Sequence, residues 1–233
     1  MLGPVNYLFW VGSFLLEVYI VVSSFFRKEF LRYFSFNLYM LSVALVNCGQ
    51  YYCIRKFGFS SMSYAYFFYY TEFLLVLLMF GVIIQLYYEV FRERRVNWHI
   101  TGATLVLILA TGIFSYVVVR QNETRLTTRF VLVLNQNLHF VALAFTYVLW
   151  GVMAKLRQTR TRLVQLVLAL GISYSGTAVT FALRNLFPAV PMNALRLLPP
   201  LFGTWLPLAW AYTFTMVPEG ARLEISPAVA GER

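Results

Sequence analysis

The sequence predicts an all-α integral membrane protein built as a bundle of seven transmembrane helices. Of the 233 residues, 60% are apolar and only 12% are charged, whereas a soluble domain carries about 25% charged residues. The apolar residues fall into seven runs, each close to the length of about 20 residues that a helix needs to cross a bilayer core. These runs do not alternate polar and apolar residues, so they are typical of helices rather than of barrel strands.

The seven runs account for nearly the whole chain. They cover Gly3–Phe26, Tyr33–Ile54, Met62–Phe91, Trp98–Val119, Phe130–Ala154, Leu163–Leu183 and Leu197–Val217. We therefore expect one membrane domain, residues 1–217, followed by a short tail, residues 218–233.

Basic residues in the connections predict the orientation of the helices, because Lys and Arg are retained on the cytoplasmic side. The connections on the side of the tail hold 12 Lys and Arg residues, and those on the other side hold 7. This difference predicts an N-terminus outside and a cytoplasmic C-terminus. The net charge of +10 lies largely in these connections, so the predicted partners are membrane lipids and not nucleic acid.

Missing residue types exclude several kinds of site. All nine acidic residues are Glu, so metal and nucleotide sites that need Asp are excluded. The sequence has neither a phosphate-binding GxxxxGK loop nor an HExxH zinc helix,. His99 and His139 fall at different depths and cannot share a haem iron. We predict no metal and no cofactor.

Ionisable residues inside the runs are the strongest candidates for a functional site, because burying them in a membrane is costly. Glu17, Glu72 and His139 are the most deeply placed. Counting residues from the predicted helix ends puts Glu72 and His139 at about the same depth, roughly 13 to 15 Å from the outer side. We expect the two to face each other and share a proton. Glu17 has no evident partner, and either an arginine or a proton would suit it.

Further polar residues extend this candidate site into an outward-facing cavity. Its predicted lining is Asn47, Tyr69, Glu72, Asn135, His139 and Thr180, with Arg184 and Arg196 at its rim. Gly203 and Pro207 predict a hinge in the seventh helix, since proline removes a helical hydrogen bond. A stripe of small residues on the sixth helix, Ala169, Ser173, Gly176 and Thr180, predicts close helix packing. The alternative is purely structural, with polar residues joining helices and tyrosines forming an aromatic belt.

Three segments resemble a group of small bacterial seven-helix membrane proteins that have no assigned activity. The segments are Tyr66–Phe73, Tyr88–Arg92 and Thr161–Leu166. The resemblance implies the seven-helix fold and a bacterial inner (plasma) membrane, and it implies no reaction. The layout is also loosely similar to the seven-helix sensing modules of histidine kinases, and a sensing role would require a protein partner.

The sequence leaves several functions open. The first is a non-enzymatic binding or sensing module, in which a small ligand from the outer side enters the cavity and a cytoplasmic or membrane partner reads the result. The second is a small proton-coupled transporter, and a structural subunit of a membrane complex is a further alternative. An intramembrane hydrolase that uses Ser173 and His139 ranks below these, because a serine near a histidine is a weak signal in a bundle of this size.

Overall fold

The computed structural model describes residues 4–27, 30–91, 97–122, 126–156, 160–186, 198–218 and 220–222. Within these ranges the chain forms seven helices and no sheet, which confirms the predicted all-α class. The helices are α1 (Pro4–Phe26), α2 (Phe34–Phe57), α3 (Met62–Val90), α4 (Asn97–Asn122), α5 (Leu126–Lys155), α6 (Thr161–Leu186) and α7 (Leu198–Met216). The ends of the helices fall within four residues of the predicted runs.

Four helices in the described part of the chain are long and apolar enough to cross a membrane. The stretches are Tyr7–Phe26 in α1, Met62–Val90 in α3, Phe130–Lys155 in α5 and Thr161–Leu183 in α6. In α4 the apolar stretch is shorter, Gly102–Val117. Helices of this length and composition are those of a membrane-embedded protein.

Six of the helices form a closed ring in the order α1, α2, α3, α5, α6, α7, and α7 packs back against α1. Helices α3 and α6 also contact each other across the ring. Their side chains Val82, Ile83, Val167 and Leu170 are therefore completely buried. The core of the protein surrounds this contact and also takes in buried side chains of α1, α2, α5 and α7.

Helix α4 lies outside the ring, against α5 and α3. Most of its large apolar side chains are exposed, among them Leu109 and Phe114. The buried Ser115 on α4 accepts a hydrogen bond from the Asn137 side chain of α5 at 2.9 Å. A helix that packs on one side only leaves the rest of its surface to the membrane.

Helices α2 and α3 are fixed to each other at both ends. Between them Gly58 has φ +81°, a conformation that favours glycine,, and the Ser61 hydroxyl caps α3 by accepting from the Tyr64 N–H at 3.1 Å,. At the opposite end the Gln85 side chain of α3 accepts from the Ser35 N–H in the first turn of α2, at 3.1 Å. These contacts fix the position of α2 relative to α3 at both ends of the hairpin.

Candidate functional site

Glu17, in the middle of α1, is buried and has a hydrogen-bond partner on α2. Its side chain is only 3% exposed, and its Oε2 accepts a hydrogen bond from Asn47 Nδ2 at 2.8 Å. The Asn47 Oδ1 in turn accepts from the indole N–H of Trp10 at 3.2 Å. An amide that donates to one group and accepts from another joins α1 to α2 and lowers the cost of burying the carboxylate.

Tyr39, on α2, lies within range of the charges of both Glu72 and Glu17. Its hydroxyl forms no hydrogen bond to either carboxylate in the described structure. Tyr39 lies eight residues before Asn47, so the two share a face of α2. Its ring packs edge-on against Trp210 of α7, with ring centroids 6.1 Å apart. The interior of the ring therefore holds two carboxylates whose charges both reach one phenol.

Tyr174 extends this group towards His139. Tyr174, on α6, is buried and interacts electrostatically with Tyr39. The His139 ring packs edge-on against Tyr174, with centroids 5.8 Å apart, and edge-on against Phe181, with centroids 5.7 Å apart. We refer to the linked side chains as the interior polar cluster, and its members are Glu17, Tyr39, Asn47, Glu72, His139 and Tyr174.

Glu72 and His139 differ from Glu17 in how their polar atoms are satisfied. Glu72 is partly buried and forms neither a hydrogen bond nor an ion pair with any residue that the structure describes. His139 Nδ1 lies 2.8 Å from the Asn135 carbonyl. A carbonyl only accepts, so Nδ1 carries the hydrogen and Nε2 of the neutral ring keeps its lone pair. Both residues belong to the interior polar cluster, but the structure forms no ion pair between them within the described part.

The other residues predicted to line a cavity have individual environments. The Asn135 Oδ1 is buried without a hydrogen-bond partner among the described residues. The Thr180 hydroxyl donates to the Gly176 carbonyl of its own helix at 2.8 Å. Tyr69 is partly buried and packs edge-on against Phe68, at 5.6 Å. Of these three residues, Asn135 is thus the one with a buried side-chain oxygen that no described residue hydrogen-bonds.

The two arginines predicted at the cavity rim have no described side chain. Arg196 lies outside the described residues, and of Arg184 only the helical backbone in α6 is described.

The predicted hinge residues lie inside α7. Pro207 is a buried residue of that helix, and because it has no N–H, the Gly203 carbonyl lacks its helical donor. One residue further on, the Thr204 hydroxyl lies 2.7 Å from the Ser13 hydroxyl of α1. The weakened segment of α7 is thus held against α1 by a side-chain hydrogen bond.

A second polar group lies where α1 and α7 end and α6 begins, and its arginines were predicted from the sequence only as loop charges. Arg162 is 6% exposed and lies over the rings of Tyr33 and Phe214, at 5.4 and 5.1 Å. The Phe214 carbonyl accepts from Arg162 at 3.0 Å and from Arg27 at 2.9 Å. Residue 218 is proline, so this carbonyl has no helical N–H donor, and the two arginines take its place. We call this part of the bundle the arginine end.

The predicted hydrolase residues Ser173 and His139 form separate hydrogen bonds. The Ser173 hydroxyl points to the Phe202 carbonyl of α7 at 3.5 Å, whereas His139 bonds to Asn135. No three His, Cys, Asp or Glu side chains of the described part come together as a metal site.

Comparison of the chain with models of protein families, with curated proteins and with solved structures finds no match.

Proposed function

We propose that this chain is a non-enzymatic binding or sensing module that crosses a bacterial inner membrane seven times, with its N-terminus outside and its C-terminus in the cytoplasm. The excess of Lys and Arg on the side of the tail supports this orientation,. Within the described residues, three of the seven helices, α2, α4 and α7, are not among those long and apolar enough to cross a membrane by themselves. We propose that they cross because they pack against helices that do. The interior polar cluster is the proposed binding site.

The unpaired carboxylate of Glu72 carries this proposal. A carboxylate inside a membrane bundle is expensive unless something compensates its charge, and the structure supplies a partner for Glu17 but not, among the described residues, for Glu72. The rings of Tyr39 and Trp210 lie in the same interior. Aromatic faces next to a carboxylate favour a positively charged ligand, so the ligand class that we propose is a small organic cation.

Occupation of this site would be transmitted along α7. Trp210 contacts Tyr39 of the interior polar cluster, and it lies between Pro207 and Phe214, whose carbonyl holds the arginine end. A shift of α7 about Pro207 would therefore move the cytoplasmic end of the helix, where a partner protein could read it.

The substitution Glu72→Gln tests the site. Purified wild-type protein in detergent is expected to gain roughly 3 to 6 °C in Tm at ten times the Kd of an organic cation. The probes are tetramethylammonium and butylammonium, each compared with an uncharged analogue of the same shape. Glu72→Gln removes the charge with little change of volume, so this gain should disappear.

Glu89→Gln is the matched control, because it makes the same chemical change on the same helix. Glu89 is half-exposed and pairs with Arg160 at 3.7 Å, at the arginine end of α3. This variant should keep the full gain in Tm. If neither cation stabilises the wild-type protein, or if Glu72→Gln responds as the wild type does, the proposed site is wrong.

A proton-coupled transporter is the second candidate. It is favoured by the presence of two carboxylates, Glu17 and Glu72, whose charges both reach the phenol of Tyr39. Proton transfer through this phenol would require a movement that brings its hydroxyl within hydrogen-bond distance of both carboxylates. Cation flux driven by a pH gradient in proteoliposomes would favour this candidate. Binding without flux favours the module.

A further inference from the structure

We propose that a groove at the arginine end, between the last turns of α1 and α7, binds the phosphate of an anionic phospholipid headgroup. The groove is lined by Tyr19, Ser23 and Ser24 of α1, by Arg27 directly after this helix, and by Phe214 and Thr215 of α7, together with apolar contacts. It lies apart from the interior polar cluster and does not depend on the function proposed above. Its polar groups lie at the helix ends, the level at which headgroups meet a membrane protein.

The position of Arg27 in this groove is fixed by the backbone of α7. Its Nη1 donates to the Phe214 carbonyl at 2.9 Å, an acceptor that is available because residue 218 is proline,. A guanidinium has five N–H donors in a planar fork, and within the described part of the chain only one of them is used. No carboxylate of the described residues forms an ion pair with Arg27. The groove thus presents an oriented cation.

Hydroxyl groups complete the site for a phosphate. Ser23 and Ser24 line the groove next to Arg27, and neither hydroxyl has a hydrogen-bond partner in the part of the chain that the structure describes. The Thr215 hydroxyl, by contrast, donates to the Ala211 carbonyl at 2.7 Å. A phosphate diester has acceptor oxygens only, which match an arginine fork together with two serine hydroxyls.

The surroundings of the groove favour a lipid over free phosphate. The neighbouring turns of α1 and α7 expose large apolar side chains, namely Val22, Phe25, Phe26, Tyr212 and Met216. In a membrane these side chains contact acyl chains, so a headgroup in the groove has its hydrocarbon tails already placed. Because the apolar side chains lie beside the polar groove, one lipid molecule can satisfy both surfaces.

Charge predicts which lipid the groove selects. Arg162 donates to the same carbonyl as Arg27, at 3.0 Å, so two guanidiniums converge on one oxygen. A zwitterionic headgroup would bring its own cation close to them, and like charges repel. A phosphatidylglycerol headgroup carries only the negative charge. We therefore expect phosphatidylglycerol to bind more tightly than phosphatidylcholine.

The test measures lipid retained by the purified full chain in detergent, by native mass spectrometry across a titration of phosphatidylglycerol or phosphatidylcholine. We expect one phosphatidylglycerol to bind preferentially to the wild type and its affinity to fall about tenfold in Arg27→Gln, as for the loss of a hydrogen bond to a charged group. Arg55→Gln is the matched control, since Arg55 is an exposed arginine near the other end of the bundle, bonded to Tyr51 at 3.0 Å.

Two further measurements separate a specific lipid site from a general response to charge and from a free-anion site. The double variant Ser23→Ala with Ser24→Ala keeps the arginine and should weaken phosphatidylglycerol binding while leaving Tm in lipid-free detergent unchanged. Inorganic phosphate at equal concentration should not displace the lipid. Equal losses in Arg27→Gln and Arg55→Gln would mean that the lipid responds only to overall charge, and displacement by inorganic phosphate would identify a free-anion site. Either result would overturn the proposal.

Discussion

Replacement of Arg162 by alanine is expected to lower the free energy of unfolding by about 3 kcal/mol, or roughly 6 to 12 °C in Tm. The guanidinium is buried over the rings of Tyr33 and Phe214, and each such contact is worth about 1 kcal/mol or more when desolvated. Arg162 also donates to the Phe214 carbonyl at 3.0 Å. Alanine removes all three interactions and leaves a cavity between two rings.

Arg160→Ala is the comparison variant for this experiment. Arg160 lies two residues away, and its ion pair with Glu89 at 3.7 Å is substantially exposed. Exposed ion pairs contribute about 0 to 1 kcal/mol, so this variant should lose little stability. Arg162→Lys keeps the charge but not the planar stack and should fall between the two. Equal Tm values for Arg160→Ala and Arg162→Ala would refute a structural role for the buried arginine.

Gly176→Ala is expected to destabilise the protein by about 2 kcal/mol, through overpacking between α6 and α7. A methyl group at this position would overlap the ring of Phe202 on α7. The overlap includes Cγ, the ring atom of Phe202 that is nearest to the Phe202 backbone. The ring cannot avoid the overlap by a small rotation, so a rotamer or a helix must shift. Thermal unfolding in detergent, or titration with a denaturing detergent, measures the loss.

A double substitution distinguishes this clash from a general intolerance of alanine in α6. Adding Phe202→Ala removes the obstructing ring, so the double variant should be more stable than the sum of the two single effects indicates. Gly171→Ala is the control on the same helix, because its methyl group would meet the Thr146 side chain at an ordinary contact distance of 3.7 Å. If Gly171→Ala and Gly176→Ala cost the same, close packing against Phe202 is not the reason.

The sequence allowed the helices to be predicted closely, because a bilayer imposes a minimum length on each apolar run and charged loops interrupt those runs. The ends at Met62 and Leu198, for example, fall within a residue of the predicted positions. The order of the helices around the ring could not be predicted. The position of α4 outside the ring depends on contacts between helices that no local pattern encodes.

The sequence drew attention to individual polar residues of the candidate site, but it did not predict which of them bond to each other. Glu17 and Asn47 both stood out as polar residues in apolar runs, yet their hydrogen bond depends on how α1 and α2 are rotated about their axes. Tyr39 offered a usable signal, since it lies two turns before Asn47 on the same face. Arg162 offered none, because its partners Tyr33 and Phe214 come from distant parts of the chain.

The closed ring also sets an order of events during synthesis. Ser13 and its partner Thr204 are separated by 191 residues, so at roughly 5 to 20 residues per second α1 waits about 10 to 40 s for α7 to be made. Asn47 follows Glu17 by only 30 residues and is made within about 2 to 6 s at the same rate. The Asn47 amide is therefore available to the Glu17 carboxylate long before the ring can close, and the hairpin of α1 and α2 shelters this charge while the rest of the protein is still on the ribosome.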